Sequence, residues 1–187
     1  MAEIQHLDVV LKWAGRISSP TDRAIPTHQH YDYELILPLT EGYEYTRNND
    51  RHSLSPKQGV VILPGDWHGD HLRQATEYVA ANLVLKSRGD GKEPDILLRK
   101  ASENDLRFDD ADGRVRGVML EIINEMEQVD ELSAALLDAY ARELFWTIIR
   151  RLPPTAKNPD VFADDDDLRF KTALERFFKK NLQRLPS

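Results

Sequence analysis

Short apolar stretches separated by turn residues fill roughly the first half of this chain, and this pattern limits the possible folds more than any other feature. The predicted strands cover residues 7–17, 33–39, a stretch that starts at Gly42, 59–63 and 78–85. Asn48-Asn49-Asp50 and Pro64-Gly65 are strong turn signals between them. Many short strands with regular turns indicate a β-sandwich or a small β-barrel.

Helical periodicity replaces this pattern after a polar linker at residues 87–91. Apolar residues at helical spacing predict a helix over 115–126, formed by Val115, Val118, Met119, Ile122, Ile123 and Met126. A second helix is predicted over 132–152, with a stripe of Leu136, Tyr140, Leu144 and Ile148, and Pro153-Pro154 ends it. A third is predicted over 168–182, after the acidic run 164–167.

Charge and composition exclude several classes of protein. The formal net charge of the 187 residues is −7, which is unfavourable for gripping DNA phosphates with this chain alone. Cysteine is absent from the sequence, so disulfides and thiolate ligands are excluded. The chain has no apolar run of the length that crosses a membrane and no secretory signal at its start. We therefore predict a cytoplasmic protein without a membrane partner.

The residues most relevant to function are three histidines and a glutamate that occur in a particular order. His28 and His30 are followed by Glu34, and His68 follows the Pro64-Gly65 turn. This order resembles the two motifs of the cupins, in which three histidines and a glutamate hold one metal. The resemblance implies that these four residues, His28, His30, Glu34 and His68, bind one divalent ion. Imidazole and carboxylate ligands suit Zn, Ni, Mn or Fe.

Strand geometry sets a condition on this ligand set. Residues 28 and 30 would share one face of a strand, but six residues of straight strand would separate residues 28 and 34 by about 20 Å. One ion could then not contact both. Shared ligation therefore requires the chain to turn at Tyr31-Asp32-Tyr33.

The motifs depart from those of the metal-dependent cupin enzymes, with Asp22 in place of a glycine and Leu72 in place of an asparagine. They resemble the sensor domain of AraC-type transcription regulators. The likeness rests on the His28-Gln29-His30 stretch, residues 33–36, 39–42 and 59–65, and His68. Residues 170–175 and 181–187 are similar to the first helix of that family's helix-turn-helix domain. The resemblance implies an α+β fold, a cupin-like jelly-roll barrel followed by an antiparallel helix pair.

The same resemblance implies a division of the chain and a function. Residues 1–90 would form an effector-binding barrel, 91–153 a helical dimerisation segment, and 154–187 a linker and the first helix of a truncated DNA-binding domain. The protein would be a homodimeric regulator rather than an enzyme, binding a small-molecule effector and contacting DNA only through the missing domain. The alternative, favoured by the complete ligand set, is a stand-alone metal-dependent oxygenase or isomerase.

Aromatic residues near these motifs are candidates for contact with the effector. Tyr43, Tyr45 and Trp67 could line a pocket, because small-molecule sites are mostly apolar with a few polar anchors. The other interpretation is that they are ordinary packing inside the barrel. The three histidines have a second interpretation too, as polar lining of an effector pocket without a metal.

Overall fold

The computed structural model describes residues 7–87 and 106–152. The strands of these residues are β1 (Leu7–Ser19), β2 (Arg23–Ala24), β3 (Tyr33–Pro38), β4 (Tyr43–Arg47), β5 (Asp50–Leu54), β6 (Gln58–Ile62), β7 (His68–Leu72), β8 (Thr76–Ser87) and β9 (Arg107–Asp109). Two helices follow, α1 (Arg114–Glu127) and α2 (Ser133–Arg151). The predicted third helix and the linker before it lie outside the described residues.

Two antiparallel sheets make up the β-structure. One has the strand order β1-β8-β3-β6-β9 and the other the order β2-β7-β4-β5. Strands that are neighbours in a sheet are mostly distant in the sequence, as in a jelly roll, where successive strands cross between two facing sheets. The predicted fold, a cupin-like jelly-roll barrel followed by a helix pair, is confirmed.

Alternation along β3 separates the inside of the barrel from its outside. Leu35 and Leu37 join the core that is shared with the helices, whereas Ile36 joins a second core between the two sheets. Because successive side chains of a strand point to opposite faces, Glu34 shares the inner face with Ile36. The glutamate therefore belongs to the inner face of the barrel.

The helix pair covers the outer face of the five-stranded sheet, with contacts to β1 and β8. The apolar residues predicted for α1 are buried there, with Met126 partly so. In α2, Leu144 and Ile148 of the predicted stripe are buried and Tyr140 packs partly buried against the same core, whereas Leu136 is 38% exposed. The buried face of α2 is instead centred on the last three turns, where Ala141 and Phe145 join the core.

Several strands have no counterpart in the predicted pattern. β7 carries His68 and Asp70 on its inward face, so it lacks the apolar alternation that marks a strand. β9 is three residues long, and the ring of Phe108 packs over Gly59, where a side chain would collide with it. Short or polar strands of this kind give no periodic signal.

The predicted turns are confirmed. Asn48 and Asn49 both have positive φ, 50° and 78°, and join β4 to β5 as a tight hairpin. Gly65 also has a positive φ, 78°, and directs the chain from β6 towards β7. This turn places His68 at the first position of β7.

The barrel and the helix pair belong to one compact unit. β9 extends the five-stranded sheet to residue 109, and the proposed boundaries at 90 and 153 stay predictions. Among the described helices, none is both long and apolar enough to span a membrane.

Candidate metal centre

The four predicted ligands come together at one end of the barrel. One ligand atom from each of His28, His30, Glu34 and His68 lies within 4.8 Å of the others. Glu34 is the second residue of β3, and His68 is the first residue of β7. His28 and His30 precede β3; they do not share a regular strand, because His28 forms only an isolated bridge to His68. The prediction that His28 and His30 share one face of a strand is therefore wrong.

The chain bends where the ligand set requires it. Residues 31 and 32 form a bend, and β3 begins at Tyr33. The Nδ1 atom of His30 lies 2.9 Å from the backbone oxygen of Asp32, which closes the bend. The Nε2 atom of His30 consequently lies 3.0 Å from Oε2 of Glu34.

Each of the three histidines has its Nδ1 atom held in the same way, by a backbone oxygen two residues away. The pairs are His28 with Pro26 at 3.0 Å, His30 with Asp32 at 2.9 Å, and His68 with Asp66 at 3.1 Å. A carbonyl oxygen only accepts hydrogen bonds, so each Nδ1 must carry the proton. In the neutral rings the lone pair is therefore on Nε2, the form that binds a metal.

Distances within the cluster suit one ion. The Nε2 atoms of His30 and His68 each lie 3.0 Å from Oε2 of Glu34. Ligand atoms at about 2.0–2.2 Å from an ion, with angles near 90°, are about 3 Å apart. Two nitrogen lone pairs so close to a carboxylate repel it unless a proton or a cation lies between them. The donor set therefore fits a divalent metal.

Charge in the cluster keeps the carboxylate ionised. Burial acts to raise the pKa of Glu34, but hydrogen bonds to the Nε2 atoms of His30 and His68, which form when those atoms carry a proton, outweigh it and lower the pKa to about 2. The hydrogen bond to Glu34 raises the pKa of His30, against the opposing effect of burial. At neutral pH, Glu34 is thus a charged ligand that offsets one of the two charges of a divalent ion.

The four candidate ligands differ in their exposure to solvent. The side chain of His68 is 2% exposed and that of Glu34 17%, whereas His28 is an exposed residue. His28 is therefore the candidate ligand that is most open to solvent.

A buried ion pair supports the turn that carries His68. The guanidinium group of Arg47 lies 2.6 Å from Oδ2 of Asp66, and Asn48 donates a hydrogen bond to the other oxygen at 3.2 Å. Backbone hydrogen bonding from Asn48 to Trp67 fixes the hairpin against the same turn. Since the backbone oxygen of Asp66 faces Nδ1 of His68, these contacts also fix the direction of that ring.

Asp70 is a polar residue of the barrel interior that the sequence interpretation missed. It is buried, and it accepts a hydrogen bond from the hydroxyl of Tyr43 at 2.8 Å and a weaker one from Tyr78 at 3.5 Å. Burial raises its pKa. The available signal was its position two residues after His68, because residues i and i+2 of a strand share a face.

The three predicted effector contacts are not part of the cluster. Tyr43 and Tyr45 are 1% and 0% exposed and belong to the core between the sheets. The ring of Tyr45 stacks on that of His52, with centroids 4.9 Å apart. Trp67 is half-buried in the turn before His68. Effector binding by these residues stays a prediction, and for the two tyrosines it would require the core to open.

Comparisons with known proteins yield structural likenesses of low identity. No family model matches the chain, and no curated protein matches it. Among solved structures, it resembles an RmlC-like cupin from Shewanella frigidimarina, with 10% identity, a TM-score of 0.37 and coverage of 41% of this chain and 66% of the other.

Two enzymes are also among the similar structures. One is oxalate decarboxylase from Bacillus subtilis, a protein with Mn(II) centres. Its identity to this chain is 9%, the TM-score is 0.35, and the match covers 42% of this chain and 22% of the other. Salicylate 1,2-dioxygenase from Pseudoaminobacter salicylatoxidans has 16% identity, a TM-score of 0.36 and coverage of 47% and 26%. The chain spans less than two thirds of the length of each of these three proteins.

These findings correct one prediction. The expectation that the chain is not an enzyme does not stand: a decarboxylase and a dioxygenase are among the structures that resemble it, and this likeness concerns the fold alone. None of the three similar structures described above is an AraC-type regulator.

Proposed function

We propose that this chain is a metal-dependent cupin-type protein in which His28, His30, Glu34 and His68 hold one divalent ion. The observation that carries the proposal is the convergence of one nitrogen from each of three imidazoles and one carboxylate oxygen, all within 4.8 Å of one another. Zn, Ni, Mn and Fe all accept this set of nitrogen and oxygen ligands.

The residues around the centre define what it can do. An ion bound here would supply a Lewis acid that polarises an oxygen-bearing small molecule. Glu34 reduces the charge of the site by one, so a neutral or anionic ligand is favoured over a cation. His68 is buried and His28 is exposed, so we expect a ligand to approach the ion beside His28. Metal-assisted oxygenation or isomerisation is the reaction class that we propose.

A specific observation favours a second candidate function, an effector-sensing module of an AraC-type regulator. The turn between the helices and the first turn of α2 expose Val129, Leu132 and Leu136, which are 74%, 60% and 38% exposed. Leu132 and Leu136 are four residues apart at the start of α2, and Val129 lies in the turn before them. Exposed apolar residues grouped in this way are typical of an interface. In this proposal the helices form a homodimer, the centre binds the effector, and DNA is contacted through a further domain.

Titration with Mn²⁺ tests the proposed function, because binding removes the electron paramagnetic resonance signal of the free ion. Metal-free wild type should bind about one ion per chain, and added oxalate, a small oxygen-donor probe, should change the spectrum of the bound ion. His68→Ala should abolish binding. His71→Ala is the matched control, because His71 is on the same strand and bonds to Thr46 outside the cluster. Binding that survives in His68→Ala and fails in His71→Ala would overturn the proposal.

A further inference from the structure

Segment 25–28 lies directly against Gly69, the residue that follows His68 on β7. A Cβ atom at position 69 would lie 2.8 Å from the backbone oxygen of Ile25 and 3.1 Å from the backbone nitrogen and Cα of Thr27. These are backbone atoms, which cannot rotate away as the end of a flexible side chain can. Favourable contacts between heavy atoms lie at about 3.5–4.0 Å. Any side chain at position 69 must therefore push the segment away from β7.

Backbone hydrogen bonds hold the segment on either side of this close contact. The N–H of Ile25 donates to the oxygen of Asp70 at 2.9 Å. His28 and His68 exchange both backbone hydrogen bonds, at 2.8 Å and 2.9 Å. The backbones of His68 and Asp70 thus form hydrogen bonds with segment 25–28. Gly69 between them has no side chain, so the segment can lie close to β7.

The position of the His28 ring depends on this seating. The residue is exposed, and its Nδ1 atom bonds within the segment itself, to the backbone oxygen of Pro26. Its ring nevertheless lies close to that of His68, with centroids 4.3 Å apart. Glu34 and His68 are instead carried by regular strands. Of these three ligands, His28 is the one whose place follows from the backbone contact at residue 69.

We infer that Gly69 is a positioning residue of the metal centre: it lets segment 25–28 lie on β7 and so provides His28 as the fourth ligand. This inference rests on the proposed function. It requires Gly69→Ala to have the same effect on the centre as His28→Ala, because both changes remove the same imidazole. The two changes should also not add when they are combined.

Titration of the metal-free full chain with Co²⁺ tests this, because the visible absorption of Co²⁺ reports its number of ligands. Gly69→Ala and His28→Ala should each weaken binding by about 10–100-fold and give the same altered spectrum. The double variant should bind no more weakly than either single variant. Gly117→Ala is the matched control, since Gly117 is helical and a Cβ there meets no atom within 4 Å. It should bind Co²⁺ as the wild type does.

Hydrogen exchange of the metal-free protein gives a second readout. Amide exchange in residues 25–28 should rise in Gly69→Ala and stay unchanged in His28→Ala and Gly117→Ala, with the rest of the barrel unaffected. Wild-type Co²⁺ binding in Gly69→Ala, additive losses in the double variant, or unchanged exchange at 25–28 would each overturn the inference. A wild type that binds no Co²⁺ overturns the proposed function and the ligand role of His28 with it, whereas the exchange result then still decides whether Gly69 seats the segment.

Discussion

The Nε2 atom of His68 lies 3.0 Å from Oε2 of Glu34, although the two residues are 34 positions apart and belong to different sheets. Glu34 is on β3 of the five-stranded sheet, and His68 is on β7 of the four-stranded sheet. An ion that both side chains bind would therefore link the two sheets of the barrel. Metal binding and folding should then be thermodynamically coupled.

Thermal stability should rise with added metal. An ion that binds the folded state alone adds about 2.7 kcal/mol to the free energy of unfolding at a free concentration of a hundred times its Kd. Thermal unfolding followed by circular dichroism, with Mn²⁺ and then with excess chelator, measures this gain. His30→Ala should lose it, and His71→Ala should keep it. Equal gains in both variants would mean that the ion binds elsewhere.

The pH dependence of the metal-free protein follows from two opposite pKa shifts. The raised pKa of His30 gives stability that is present below its unfolded pKa of 6.5 and is lost as pH rises through the folded pKa. The lowered pKa of Glu34 gives stability that is present above 4.5 and is lost as pH falls towards about 2. Urea denaturation should therefore show that this cluster adds most to the free energy of unfolding between pH 4.5 and pH 6.5. A contribution that grows steadily above pH 6.5 would contradict these assignments.

With metal bound, stability should rise with pH in the range where the metal-free protein loses the contribution of His30. The imidazoles bind a metal only when they are deprotonated, so protons compete with the ion, most strongly at His30 because its pKa is raised. The stability gained from Mn²⁺ should therefore be larger at about pH 8 than at about pH 5.5. Urea denaturation at both pH values, with and without Mn²⁺, measures the difference. A gain that does not change with pH would argue against histidine ligands.

Loss of Arg47 should destabilise the barrel strongly. Arg47→Ala would leave the carboxylate of Asp66, whose side chain is 4% exposed, without its ionic partner. Removing one member of a buried ion pair costs about 3–5 kcal/mol. Arg51→Ala is the matched control, because Arg51 is 49% exposed where it pairs with Glu44, and such pairs contribute about 0–1 kcal/mol. Similar urea midpoints for the two variants would contradict the role given to Arg47.

Self-association should depend on the exposed apolar residues at the start of α2. Leu136→Glu would place a charge in the proposed dimer interface without disturbing the core, since Leu136 is 38% exposed. Light scattering should show a dimer for the wild type and a monomer for this variant. Ala134→Glu is the control, because Ala134 is exposed and lies on the opposite side of the helix from Leu136. A wild type that is monomeric at high micromolar concentration would exclude the interface.

The ligand cluster was predicted from a resemblance to known motifs. His28, His30, Glu34 and His68 were grouped through their resemblance to known motifs, and the bend required at residues 31–33 is present at residues 31 and 32. The strong signals were local ones, namely turn residues such as Asn48 and strands with apolar alternation. These patterns report backbone conformation directly, so they predicted most of the barrel.

Other features depend on contacts between distant residues, which one sequence does not contain. Both faces of β3 are covered, one by helices and one by the other sheet, so apolar residues such as Leu35 and Ile36 do not reveal which face is inside. For the same reason the burial of Tyr43 and Tyr45 could not be separated from a pocket lining. The contact of segment 25–28 with Gly69 joins residues more than forty positions apart and has no local pattern.

Calorimetric titration of tag-free, metal-free protein with Zn²⁺ tests the central claim most directly. Wild type should bind about one ion per chain, with heat that reflects the release of protons at a pH where the histidines are partly protonated. Glu34→Gln keeps the shape of the side chain but removes the ligand charge, and it should weaken binding by at least about tenfold. Binding of about one ion in the wild type, lost in His68→Ala and weakened in Glu34→Gln, is the predicted result. The absence of Zn²⁺ binding in the wild type, or unchanged binding in both variants, would contradict a metal centre at these residues.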